Sequence, residues 1–174
     1  MQAPSPPVGK GWGGGALPRR ALLICLLALP ACGFTPAYAP GGPAAGLQNS
    51  IRIDDPTDKN AFDLVERLEE RLGRPQAAPY RLAYVITTEP IGVGISPENA
   101  ITRYNLTGSV EWSLTDATGT RITGGRVDNF TSYSATGSTV AGLAAEEDAA
   151  FRLMRILADQ IVIRLIATAP TWSE

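Results

Sequence analysis

The sequence predicts an α+β two-layer sandwich, a four-stranded, mostly antiparallel sheet with two helices packed on one face. Three observations carry that expectation. Apolar residues alternate with polar ones through a long central region, they recur at helical spacing in one segment before it and one after it, and short Gly, Pro or Asp clusters separate the runs. With 174 residues, 44% of them hydrophobic and 18% charged, the chain is sized for one core.

The first strand is expected over 47–53, where Leu47, Asn49, Ile51 and Ile53 share a side and Asp54-Asp55-Pro56 ends the run. A helix follows in D-K-N-A-F-D-L-V-E-R-L-E-E-R-L-G. Ala61, Val65, Leu68 and Leu72 form its apolar stripe, Asp58 or Asn60 is placed to cap it, and Gly73 closes it. Glu66, Arg67, Glu69, Glu70 and Arg71 read as a solvated outer face.

From Tyr80 the period becomes two, with Tyr80, Leu82, Tyr84 and Ile86 on one face and a turn expected from Pro90 to Pro97. The next strand alternates most cleanly: Tyr104, Leu106, Gly108, Val110, Trp112 and Leu114 face one way. Asp116-Ala117-Thr118-Gly119 reads as a tight hairpin connection, and the return strand runs through Ile122 and Val127 to about Tyr133. Gly124-Gly125 interrupts its alternation, as a bulge would. A final long helix is expected to begin between Thr139 and Glu146 and to end near Ile166, with Ala149, Leu153, Ile156, Leu157, Ile161 and Leu165 as its buried stripe.

Ahead of this domain lies R-R-A-L-L-I-C-L-L-A-L-P-A-C-G-F, residues 19–34. The apolar run Ala21 to Leu29 would extend only about 14 Å as a helix, against a hydrocarbon thickness of about 30 Å. It reads instead as a secretory signal with an Arg19-Arg20 n-region, removed before Cys32. Leu29-Pro30-Ala31-Cys32 resembles the bacterial lipobox, although Pro30 departs from the small residue usual there; the resemblance implies an acylated Cys32. Cys25 follows the bulky Ile24 and reads as filler of the apolar run. Gly33, where an inner-membrane retention signal would have Asp, implies export to the outer membrane. The expected organisation is therefore 1–31 signal peptide, 32–46 lipidated cysteine and Pro/Gly tether, 47–168 domain and 169–174 tail.

Composition narrows the function. Lys10, Arg19 and Arg20 precede residue 32 and no acid does, so the remainder holds 12 basic against 17 acidic groups and repels nucleic acid. Histidine is absent, which removes the commonest general base and zinc ligand and makes a non-enzymatic role the expectation, with no cofactor or metal. Gly92-Val93-Gly94 lacks the Lys and helix of a phosphate loop and reads as a hairpin tip. Glu146-Glu147-Asp148 reads as acids favoured by a helix N-terminus rather than as catalytic carboxylates. Ser132-Tyr133-Ser134 lacks the glycines of a hydrolase nucleophile turn. Tyr80, Tyr84, Tyr104, Trp112 and Tyr133 recur at period two and read as sheet packing rather than a ligand cleft. Arg81, Arg103, Arg121 and Arg126 fall on the polar face or at the ends of the sheet, where guanidinium forks suit phosphate.

C-G-F-T-P-A-Y after the signal, a short strand and helix ending E-R-L-G, the run I-T-R-Y-N-L-T-G-S-V-E-W-S-L, then N-F-T-S-Y-S and the helix D-A-A-F-R-L-M-R-I-L-A-D-Q-I-V-I-R-L together resemble the LptE family of LPS-assembly lipoproteins in its alphaproteobacterial form. The resemblance spans most of residues 21–166. It implies a small sheet with two helices, a place in the outer membrane as a plug inside the barrel protein LptD, and a part in delivering lipopolysaccharide to the cell surface. Family members bind lipopolysaccharide through basic residues; on charge alone, the four arginines are the candidates here. Other readings are a periplasm-facing scaffold or ligand-binding lipoprotein unrelated to lipopolysaccharide, and a lipid-anchored hydrolase.

Overall fold

Three residues open the sheet: β1 is Ile51–Ile53, with Ile51 and Ile53 buried and Arg52 exposed between them. The computed structural model describes residues 36–172 apart from 41, 43, 136 and 137, so the expected signal segment and Cys32 lie outside the described residues. β1 is shorter than the expected 47–53. Residues 44–50 form turns, and Asn49 takes a positive φ of 57° that no strand allows, with its N–H donating to Leu72 O. Leu47 is still buried, as is Ala44, and Ala37 packs against the same cluster.

The first helix, α1, spans Lys59–Leu72. Asp58 caps it by accepting from the Ala61 N–H at 2.8 Å, and Gly73 ends it with a φ of 80°. Leu64 joins the expected Ala61, Val65, Leu68 and Leu72 in the core. Its apolar stripe is thus wider than the minimal 4-3-4 spacing, because the helix packs against both β1 and a second helix.

β2 (Tyr80–Ile95) pairs parallel with β1 and antiparallel with β3 (Ile101–Asp116), which pairs antiparallel with β4 (Arg121–Ser134), giving the sheet order β1-β2-β3-β4. The expected turn at Pro90 to Pro97 is corrected. β2 continues through Pro90, opposite Leu106, to Ile95, and the turn proper lies at Ser96–Ala100, where Asn99 has a φ of 63°. Pro90 is tolerated because β1 stops at Ile53 and leaves this part of β2 as a sheet edge. Register shifts at Gly92, Gly94 and Ile95 absorb the irregularity. The bulge expected at Gly124-Gly125 is also displaced: both glycines keep register, opposite Ser113 and Trp112, and the shift falls at Leu114/Thr115, where Ile122 is the extra residue.

The second helix, α2, runs Thr139–Thr168 and is followed by a 3-10 turn at Ala169–Thr171. Ser138 caps α2 by accepting from Ala141 N–H, so Glu146-Glu147-Asp148 lie about two turns inside the helix rather than at its start. Their reading as acids at the N-terminal dipole is therefore wrong, since that field fades after the first turn. Ala149, Leu153, Leu157, Ile161 and Leu165 are buried as expected, together with Met154, Ala158 and Val162, but Ile156 is exposed. The extra buried positions face α1: Arg67 donates to both carboxylate oxygens of Asp159, at 2.9 and 3.0 Å, and Arg155 reaches Glu70 at 3.3 Å. Arg67, read as part of a solvated face, is only 19% exposed at its side chain for that reason.

Both helices lie on one face of the sheet. At Gly108 a Cβ would stand 2.8 Å from Leu153 Cδ2, so the missing side chain lets α2 approach β3. The C-terminal ends of both helices lie at one end of the sheet: Asn49 bonds Leu72, and Tyr80 meets Trp172 edge-on at 5.1 Å. Their N-terminal turns lie at the other end, where Asn60 and Leu143 line one recess with Thr88.

Candidate functional site

The register places every second residue of the sheet on a face the helices do not cover. Across the strands this face reads Arg52–Arg81–Thr115–Arg121, then Val85–Glu111–Arg126, then Thr87–Ser109–Asp128, Glu89–Thr107–Phe130, Ile91–Asn105–Ser132 and finally Gly94–Arg103–Ser134. All four sequence-predicted arginines are thus on one surface, with Arg52 added. Arg81, Arg121 and Arg126 lie toward the end where the chain enters β1, and Arg103 lies at the opposite end, roughly 40 Å from the level of Arg81 and Arg121 and about 26 Å from that of Arg126 along β3 at the usual rise per residue.

Their electrostatic states differ. Arg81 is held bidentate by Asp54, at 2.6 and 3.1 Å, which pushes its pKa up and commits its Nε and Nη2 donors. Arg126 stands 3.6 Å from Glu111. Arg103 and Arg121 have no ion-pair partner among the described residues. Arg121 and Arg126 rim a shallow concavity of about 420 Å³ that Ala83, Val85, Glu111 and Ser113 also line. The acids interspersed on this face, Glu89, Glu111 and Asp128 with Asp54 and Asp55 at its edge, offset much of the positive charge.

Arg103 has different neighbours. The β2–β3 hairpin runs on past Ser134, the last residue of β4, and around this end it carries Ile91 and Val93, level with the last residues of β4, and Ile95 and Ile101, beyond them, at 44, 49, 67 and 41% exposure. The start of α2, which follows β4, adds exposed Val140 and Leu143. Half of the large apolar side chains exposed among the described residues therefore collect in the hairpin and the first turns of α2. Leu143 lies on the helix side, in a recess with Thr88 and Leu106, whereas Ile91 and Ile101 stand on the uncovered face; a solvated hairpin would carry polar residues there, and exposed aliphatics grouped on a folded domain mark a contact surface. One guanidinium beside four branched aliphatic side chains is chemically suited to an amphiphile with an anionic head and acyl chains. Sequence reasoning identified the hairpin as a tip but missed its exposed aliphatics, because alternation alone does not tell a strand face that helices cover from one that they leave open.

The remaining sequence candidates resolve as structure. Ser132 Oγ donates to Asn105 Oδ1 at 2.6 Å, on the uncovered face. Tyr104 and Tyr133 stack at 5.4 Å, and Tyr80, Tyr84 and Tyr133 pack against the core, so the aromatic residues are sheet packing, as expected. Burial raises the Tyr84 and Tyr133 pKa values. Asp148 pairs with Arg152 at 2.8 Å, while Glu146 and Glu147 share a recess of about 260 Å³ with Lys59 and buried Asp63. The hydrogen bond to Asp63 raises the Lys59 pKa. No cluster of potential metal ligands occurs among the described residues, and no helix among them is long and apolar enough to cross a membrane.

Comparison with known proteins supplies the context for this surface. The model of the family described as LptE, lipopolysaccharide-assembly, matches residues 48–165, which is more than half of the chain. Among solved structures, a lipoprotein candidate from Caulobacter crescentus CB15 is 27% identical, with a TM-score of 0.60 over 72% of this chain and 93% of that one. The rare lipoprotein B of Shewanella oneidensis has the same fold at 17% identity, with a TM-score of 0.57 over 73% and 99% of the two chains. So does a lipoprotein B of Nitrosomonas europaea, at 14% identity and a TM-score of 0.54 over 72% and 86%. No curated protein matches the chain.

Proposed function

The chain belongs to the LptE family of lipopolysaccharide assembly, and from that premise we propose that it is an outer-membrane lipoprotein, acylated at Cys32 after removal of residues 1–31, which plugs the LptD barrel and helps deliver lipopolysaccharide to the cell surface. The observation that carries this reading is the family match across β1, α1, the whole sheet and nearly all of α2, joined to a lipobox-like Leu29-Pro30-Ala31-Cys32 upstream.

The geometry adds a division of labour. A plug needs polar side walls to meet a water-lined lumen, and the uncovered sheet face is polar with both charge signs. It also needs a point of contact with the lipid. The aliphatic hairpin tip with Arg103 supports that role best; Arg121 and Arg126 are a second phosphate contact, and Arg81 contributes least because Asp54 already occupies its guanidinium.

The test is purification of the tagged full chain from membranes. The reading expects a mature N-terminus at Cys32 with acyl mass on it, a co-purifying outer-membrane barrel, and retention of lipopolysaccharide. An unmodified N-terminus elsewhere, or a chain recovered without a barrel, contradicts it.

A further inference from the structure

β4 is an outer strand 14 residues long, and β3 is its sole strand partner. Which of its backbone groups point outward follows from three contacts. Ala135 N–H donates inward to Thr102 O, whereas Phe130 N–H donates to its neighbour's Asn129 Oδ1 at 2.8 Å and Ser132 O accepts from Arg152 at 3.5 Å. Even-numbered residues thus present their N–H and C=O to the free edge. Side chains of this molecule satisfy the edge at 130 and 132. Gly124, Arg126 and Asp128 have no such cap among the described residues, and an uncapped edge is a template for another strand.

The side chains on this segment are complementary to themselves. If a second β4 is laid antiparallel about a twofold axis at Val127, Arg126 of each copy faces Asp128 of the other, on the uncovered face of the sheet. The same operation sets the 56%-exposed Phe130 of each copy opposite Gly124, beside which the Arg121 guanidinium lies, so the ring would meet a cation. Arg126, Asp128, Gly124 and Phe130 are all among the outward-bonding even residues, so the charge pairs and the backbone bonds fall in the same register, with the Phe130 N–H exchanging its Asn129 Oδ1 acceptor for Gly124 O of the other copy. Ile156, the exposed residue that the core stripe leaves out, lies one helical turn beyond Arg152 on the flank of α2 beside this edge. It would meet its counterpart across the axis.

We infer that the β4 edge is a homodimer interface: two copies of this chain join by antiparallel pairing about Val127, fusing two four-stranded sheets into one of eight strands. The contact leaves the hairpin tip and Arg103 uncovered. It concerns the chain outside any barrel and does not depend on the proposed function.

The test is sedimentation of the full chain in detergent across a concentration series. The wild type is expected to show a monomer–dimer equilibrium. Arg126→Asp and Asp128→Arg each place like charges opposite one another twice, and each should weaken dimerisation about tenfold or more, while the double variant restores it. A wild type monomeric at every concentration, single variants that dimerise as well as the wild type, or a double variant that stays weak would each overturn the inference, as would a complex in which the edge is filled by a different protein. Circular dichroism checks that each variant is folded. If a charge variant is not, Val127→Cys in the otherwise native chain decides the matter: oxidation should yield peptides disulfide-linked from position 127 to position 127, and their absence contradicts the pairing.

Discussion

The helix-covered part of the sheet and the hairpin that extends past β4 are built from the same kinds of residue and use them in opposite ways. Beneath the helices, Leu82, Val110, Leu114, Leu153 and Leu157 are sealed from water, and Gly108 draws the layers close. In the hairpin, Ile91, Val93, Ile95 and Ile101 are equally apolar and leave 41 to 67% of their surface in water. The first arrangement stabilises the fold; the second does so far less, because the apolar area left in water contributes nothing to folding. Aliphatic content by itself therefore does not separate a core from a contact surface. The sheet face that the side chains occupy and their distance from the helix layer do.

Substitutions sharpen the contrast. Leu153→Ala, at a fully buried side chain in contact range of Gly108, should cost about 2–5 kcal/mol in denaturant unfolding. Removing the cap that starts α1, with Asp58→Ala, should cost about 1 kcal/mol in the same measurement.

Acid should erode the fold next. Glu70 is held below its ordinary value by the hydrogen bond from Arg67, and Asp116 by the Thr118 hydroxyl. Both carboxyls titrate lower in the folded chain than in the unfolded one, so their contribution is complete above the ordinary values of 4.5 and 3.8 and is lost as pH falls through the lowered folded values. Thermal melts should accordingly be insensitive to pH near neutrality, where no histidine titrates, and should decline below about pH 4.

The smallest effect on stability belongs to the tip. Ile91→Ser, Ile95→Ser and Ile101→Ser together should leave unfolding within about 0.5 kcal/mol of the wild type, yet lower lipopolysaccharide binding by about tenfold or more. A tip variant that unfolds as readily as Leu153→Ala would abolish the distinction between the two regions.

Much of this architecture is legible in the residues alone, and the failures have physical causes. The clean alternation from Tyr104 to Leu114 and the stripe from Ala149 to Leu165 identify β3 and α2 because each has one wet and one dry face. Pro90 and the glycines after it suggested a turn; they sit in a strand because β1 is too short to require their N–H groups. Arg67 looked solvated because a helix displays its own neighbours in sequence, while Asp159 lies 92 residues away. The four arginines could be assigned to the sheet's polar face, but their states could not, since Asp54 reaches Arg81 only after β1 and β2 pair. Arg103 becomes distinctive only once the register places it opposite Ser134, the last residue of β4, next to the exposed Ile95 and Ile101.

The central claim is that the hairpin tip, rather than the helix layer, meets the lipid. A photo-crosslinking residue at Ile95 in cells should give a lipopolysaccharide adduct, while the same residue at Ile163, an aliphatic of similar exposure on α2, should give none. Equal adducts at both positions, or an adduct at Ile163 alone, would contradict it.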